Sequence, residues 1–182
     1  KSEILVENDL VKIETFPLKH RVTCAGFKFT QKISQYKIKK EALFNSISTE
    51  EIISLKNGEH VRDSQGNILY DYRDFTHPKP PSFTYAYCSD TIYDEDLIEY
   101  IKDVDLLYHE TTFLANLKSR AKDTFHSTTS EAANIAKCAA VKKLIIGHFS
   151  ARYKDLTPFL IETKHIFNNT ELALEGNEFE VK

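Results

Sequence analysis

The sequence has 182 residues, 41% hydrophobic and 28% charged, with a net charge of −3; this excludes a disordered chain and a general polycation, and it suffices for a domain with a buried core. No apolar run approaches the roughly 20 residues that span a bilayer, and KSEILVENDL lacks the apolar core of a secretory signal, so the protein reads as soluble, not exported and cytoplasmic. Cys24, Cys88 and Cys138 form no C-x-x-C pair and read as reduced thiols, while the lysine start and the absence of Met read as a piece of a longer protein.

The first segment, EILVENDLVKIETFPLKHRVTCAGFKFTQ, predicts three short strands in EILV, LVKIETF and TCAGFKFT, because β-branched and apolar residues cluster there between the turn residues Asn8, Asp9 and Pro17. His20 falls in the connection between the last two. From Thr15 to Lys40 the chain carries seven bases (Lys19, Arg21, Lys28, Lys32, Lys37, Lys39 and Lys40) and no acid. Such a run is either a solvated loop or a phosphate contact. Residues 31 to 81 lose periodicity and hold the turn signals Asn57-Gly58 and Gln65-Gly66-Asn67; they read as an excursion from a main domain formed by 1–30 and 82–182, with a short helix near Lys40–Ile47 or Thr49–Leu55.

Alternation in FTYAYC predicts a strand with Asp90 just beyond it. YDEDLIEYIKDV is acidic at its start and apolar at Leu97, Ile98, Ile101 and Val104, which is helical spacing. VDLLYHETT predicts a buried strand delivering His109 and Glu110 into a loop. After His126, Thr128 to Glu131 has capping-box spacing before an alanine-rich helix, and KKLIIGH is the next strand. Thr157 as N-cap with Pro158 at N1 predicts a helix through Phe167, and LALEGNEFEV predicts two closing strands. Strands alternating with helices predict an α/β sheet with crossovers.

Asp90, Glu110 and His148 each lie just past a strand end, the side on which α/β sheets bind ligands. A structural histidine for His148 and an Asx turn for Asp90 remain open from these residues alone. With His20, they make a His, Asp, His set whose imidazole and carboxylate donors suit zinc.

The succession PLKH (17–20), AGFKF (25–29), CSDT (88–91), HETTF (109–113), FHSTTSEAA (125–133) and HFSARY (148–153) resembles the C-terminal half of ribonuclease Z, the tRNA 3′-processing endoribonuclease family of the metallo-β-lactamase superfamily. The resemblance covers nearly the whole chain. It implies an α/β fold, the C-terminal half of an (αβ/βα) sandwich, with residues 31–81 as an inserted, exosite-like arm that grips tRNA. It further implies two zinc ions, with His20 and His148 each completing the shell of one and Asp90 bridging them. Glu110 and His126 are implied to form the acid that protonates the departing 3′ oxygen after hydroxide attack on the phosphodiester. Ser127, Thr128 and Arg152 are implied to meet substrate phosphate. Precursor tRNA as substrate and a homodimer complete the picture.

Two departures bear on this reading. The H-x-H-x-D-H signature, which supplies two ligands to each metal in that family, is nowhere in the sequence, and LFNSISTEEI stands where a Gly-Pro-rich arm tip is usual. Either the missing half lies outside this sequence or another chain supplies it, and the chain alone is expected to be inactive. The competing readings are another hydrolase of the same fold acting on small esters or cyclic nucleotides, and a non-catalytic RNA-binding or dimerising half-domain.

Overall fold

A computed structural model describes residues 1–33, 35–43 and 47–181. The chain divides into two compact units, one comprising Lys1–Gln31 with Phe83–Lys182, the other Lys32–Ser82.

The larger unit is built on a seven-stranded sheet. Its strands are β1 (Glu3–Glu7), β2 (Val11–Leu18), β3 (Cys24–Gln31), β6 (Thr84–Cys88), β7 (Leu106–Glu110), β8 (Lys143–Gly147) and β9 (Thr170–Leu172), lying in that order across the sheet. β1 to β3 and the β3–β6 pair are antiparallel, and β6 to β9 run parallel. β2 therefore points the same way as β6, β7 and β8, and the carboxyl ends of all four lie on one edge. The helices are α3 (Leu97–Ile101), α4 (Lys118–Thr124), α5 (Thr129–Cys138) and α6 (Thr157–Ile166). The α/β architecture read from the strand-helix alternation is the one observed.

One face of the sheet is the core. Phe16, Leu18, Ala86, Cys88, Leu107, Leu144 and Ile146 meet Leu97 and Ile101 of α3, Ile135 and Ala136 of α5 with Ala139 at its C-cap, and Phe159 of α6. The small residues of α5 let its backbone approach the strands, which is the use of an alanine-rich face. The strands' alternate residues form an aromatic ladder on the other face, with Phe29 stacked on Tyr85 (5.8 Å between ring centroids) and Tyr87 on Tyr108 (4.7 Å).

Several expectations are corrected at their boundaries. YDEDLIEYIKDV forms only the five-residue α3, because Asp94 and Asp96 are tied to Lys19 Nζ at 2.6 and 2.9 Å rather than starting a helix. Thr157 is the first residue of α6, not its N-cap; Leu156 holds the cap position, and the Thr157 N–H donates to Asp155 Oδ1 at 2.9 Å. The closing strand is β9 at Thr170–Leu172, and no strand follows it among the described residues, since Asn177 N–H turns back to Leu174 O around Gly176 at φ 84°. His109 and Glu110 are the last residues of β7 rather than loop residues. Helix α4, polar as KSRAKDT except for the buried Ala121, has no counterpart among the predicted elements.

The smaller unit holds a 3-10 turn at Lys40–Ala42, helix α1 (Thr49–Asn57), the hairpin β4 (Val61–Arg62) with β5 (Ile68–Tyr70), and α2 (Tyr72–Phe75). A capping box between Ser48 and Glu51 starts α1, and Gly58 at φ 84° ends it, the left-handed conformation glycine adopts without strain. Of the two places open for a short helix in this region, Thr49–Leu55 is the one that forms it, extended to Asn57; of the other, Lys40–Ile47, Phe44–Ser46 lie outside the described residues. Leu55 and Val61 are buried, and Tyr36 packs on Tyr72 and Tyr70 on Phe75. The basic run is partly spent inside the fold: Lys19 pairs with Asp94 and Asp96, and Lys39 Nζ donates to the carbonyls of Arg73 and Asp74.

Candidate active site

Parallel pairing sets β6, β7 and β8 side by side, so the residues at and just beyond their carboxyl ends share one edge. Asp90 comes two residues after β6, Glu110 ends β7, and His148 succeeds β8 at once. Asp90 and His148 adopt φ values of 57° and 59°, and Phe125, just before His126, adopts 61°. A non-glycine residue in this region costs on the order of 1–3 kcal/mol. Three of the five such residues among those described are in or beside the cluster, which marks a place where the surrounding structure dictates the backbone. Gly147 sits under this turn because a Cβ there would lie 2.5 Å from Tyr108 Oη.

Single donor atoms from Asp90, Glu110, His126 and His148 all lie within 4.8 Å of one another. Their roles differ with their surroundings. Glu110 is wholly buried. Its Oε1 accepts from Thr91 N–H and His126 Nδ1, both at 2.8 Å. Its Oε2 accepts from Thr112 Oγ1 at 2.6 Å, Ser127 N–H at 3.2 Å and Thr112 N–H at 3.3 Å. A carboxylate so fully met by donors has little left for a metal, so we separate Glu110 from the ligand set despite its proximity. Burial pushes its pKa up, but the bonds from His126, Thr112 and Thr91 outweigh that and hold it below the usual glutamate range. The bond from Glu110 raises the pKa of His126 against the opposing effect of burial.

His148 Nε2 lies 3.3 Å from Asp90 Oδ1, both side chains being about two-fifths exposed. Its Nδ1 lies 2.9 Å from Thr112 Oγ1. His20 lies outside the four-residue group but beside it: its ring centroid is 5.0 Å from that of His126, and its Nδ1 donates to Phe125 O at 2.8 Å, leaving Nε2 as its available nitrogen. The rings of His126 and His148 are 5.2 Å apart.

The three residues assigned to phosphate fare differently. Ser127 is fully buried, its hydroxyl donating to Thr91 O at 2.7 Å. Thr128 is the N-cap of α5, in a reciprocal capping box with Glu131, and is 1% exposed. Both are turned inward and shape the loop rather than face solvent. Arg152 is exposed, its Nε bonded to Ser150 Oγ at 3.1 Å and its guanidinium 5.2 Å from the Phe113 ring centre. Sequence reasoning missed Thr91 and Thr112 as the residues that hold Glu110; the only signal was two threonines after a glutamate, which any turn could carry.

No protein-family model matches the sequence. The chain is 48% identical over 180 residues to the ribonuclease Z of Cytophaga hutchinsonii, covering 99% of this chain and 58% of that protein. It is 44% identical over 176 residues to the ribonuclease Z of Phocaeicola vulgatus, covering 96% and 57%. It thus spans less than two thirds of the curated relatives it matches. Among solved structures, the metallo-β-lactamase fold protein YhfI of Bacillus subtilis superposes with a TM-score of 0.63 at 18% identity, over 98% of this chain and 52% of that one. The short form of human tRNase Z gives 0.59 at 18% identity, over 100% and 47%. At that identity the two likenesses speak to the fold alone.

Proposed function

From a chain that is a relative of ribonuclease Z along nearly its whole length and has the metallo-β-lactamase fold, we propose that it forms part of a zinc-dependent endoribonuclease removing the 3′ trailer from precursor tRNA in the cytoplasm. The observation that carries this reading is the gathering of Asp90, Glu110, His126 and His148 within 4.8 Å, with Glu110 held as a buried anion against His126.

The donor set suits a metal. His148 Nε2 and Asp90 Oδ1 stand 3.3 Å apart at a half-open edge, and imidazole with carboxylate is the combination zinc takes in hydrolytic sites. His20, Asp90 and His148 would hold the ions, with further ligands from the part of the relatives' length that this chain does not match. When bound, the metals would supply Lewis acidity and an activated water at neutral pH.

The chain's own residues do the rest. His126 holds a proton on the side of the site away from Glu110, whose carboxylate orients the ring through Nδ1 and balances its charge. That proton goes to the departing 3′ oxygen. Of Ser127, Thr128 and Arg152, Arg152 is the exposed one and would meet a substrate phosphate, and the resemblance supports a homodimer as the working form.

In the full-length protein, His126→Ala should slow precursor cleavage by about a hundredfold or more with zinc content unchanged. His148→Ala should lose zinc and activity together. Parallel loss of zinc in His126→Ala would move that residue into the metal shell and overturn the acid role.

A further inference from the structure

We propose that Thr112 is a positioning residue which fixes the tautomer of His148, so that one buried carboxylate, Glu110, orients both His126 and His148. The inference rests on the reading above only where it concerns zinc.

Thr112 is 7% exposed. Its hydroxyl stands 2.6 Å from Glu110 Oε2 and 2.9 Å from His148 Nδ1. A hydroxyl has one proton to give and two lone pairs to receive with. Three backbone N–H groups, from Thr91, Thr112 and Ser127, already point at Glu110, which leaves its oxygens as acceptors only. The Thr112 proton therefore goes to Oε2; donated the other way, it would leave two oxygen acceptors facing each other at 2.6 Å. With that proton spent, Thr112 Oγ1 can only accept from His148, and the proton of the neutral ring sits on Nδ1.

The consequence falls on the opposite nitrogen. Nε2 of His148 becomes the lone-pair atom, and at 3.3 Å it faces Asp90 Oδ1, another acceptor. Two acceptors so placed repel unless a cation lies with them. Thr112 thus presents His148 in the one tautomer able to ligate through Nε2, and it does so before any metal arrives. The same logic holds His126, whose Nδ1 donates straight to Oε1. Threonine suits the task because its hydroxyl is short and its backbone N–H also binds Glu110, so the donor cannot swing away. Outer partners of this kind tune metal affinity by about 10–100-fold.

The test uses the full-length protein, stripped of metal and labelled with nitrogen-15 at histidine, with His148 assigned by the signal lost in His148→Asn. Long-range proton-nitrogen correlation should show His148 protonated at Nδ1 in the parent and in Thr112→Ser, and shifted towards Nε2 protonation in Thr112→Val. Zinc titration should show affinity falling about 10–100-fold in Thr112→Val and kept within a few-fold in Thr112→Ser. A parent protein with His148 protonated at Nε2 overturns the proposal without any variant, so poor folding of Thr112→Val would not shield it. A tautomer that switches in Thr112→Val while zinc affinity stays constant would uphold the role of Thr112 and instead remove His148 from the metal shell.

Discussion

Because Glu110 is wholly buried, its charge has to be met by donors around it, and five protein atoms meet it: Thr91 N, His126 Nδ1, Ser127 N, and the N and Oγ1 of Thr112. Glu110→Gln keeps the shape but replaces one acceptor with an amide donor, which then faces donors. It should destabilise the fold by roughly 3 kcal/mol or more, as does breaking a buried, hydrogen-bonded charge pair. Denaturant unfolding of the variant and its parent measures this; a loss below about 1 kcal/mol would mean that the site relaxes around an uncharged group. Asp90, Glu110 and His148 were legible in the sequence because each ends a strand pattern, and the edge on which they converge comes from parallel pairing. The inward turn of Ser127 and Thr128 was not, since spacing says nothing of which way a hydroxyl faces. That turn comes from a parallel bridge between Phe113 and Thr128, which draws the two loops together across fifteen positions of chain.

Elements were legible where an apolar period marked them and obscure where backbone chemistry alone holds them. β6, β7, β8 and α5 have strong patterns and stand close to where the patterns put them. α4 has no apolar stripe and is ended by Phe125 at φ 61°, and α6 starts earlier than its sequence suggests because Asp155, not Thr157, supplies the capping oxygen. The end of α5 shows the same kind of backbone control: Ala140 comes after the C-cap at φ 52°, exposed, where helices favour glycine. Ala140→Gly should raise stability by about 0.5–1 kcal/mol by removing that strain, read as a higher denaturation midpoint with an unchanged slope. A lower midpoint would show that chain entropy outweighs the strain. At the start of β7, Asp105 is 5% exposed and accepts from Lys142 Nζ, Thr84 N–H and Thr84 Oγ1. Burial pushes its pKa up, but the bonds from Lys142 and Thr84 outweigh that and lower it. A depressed carboxylate stabilises the fold at pH above the unfolded value of about 3.9, and that contribution is lost as pH falls through the lower folded value. Urea midpoints compared at neutral pH and near pH 3 should therefore drop less in Asp105→Asn than in the parent, and equal drops would assign the acid sensitivity elsewhere.

For the molecule as a whole, the site is one-sided. Its side chains gather on one side, Asp90, Glu110 and His148 from the ends of adjacent strands, His20 from the β2–β3 connection and His126 from the loop between α4 and α5, and the chain spans 58% of the length of the relative from Cytophaga hutchinsonii. A zinc ion in a hydrolytic site takes about three protein ligands and keeps one position for water or substrate. His20, Asp90 and His148 are three side chains, so even with Asp90 bridging, neither of two ions would have more than two ligands from this chain. Glu110 cannot make up the number, because its lone pairs are already taken by donors, and His126 is turned to Glu110 through Nδ1. If the proposed two-zinc centre is shared in this way, the chain on its own should bind fewer than two zinc ions under dialysis that leaves two on a protein of the relatives' full length, and it should leave precursor tRNA uncut. Adding, as a separate polypeptide, a segment equivalent to the part of the relatives that this chain does not match should restore both properties together if the ligands are shared across the two parts. Two tightly held ions and trailer removal by the chain alone would show that this edge completes its own centre. In that case Glu110 or His126 would have to leave its present bonds to ligate, and the division between proton donor and metal ligands would have to be redrawn.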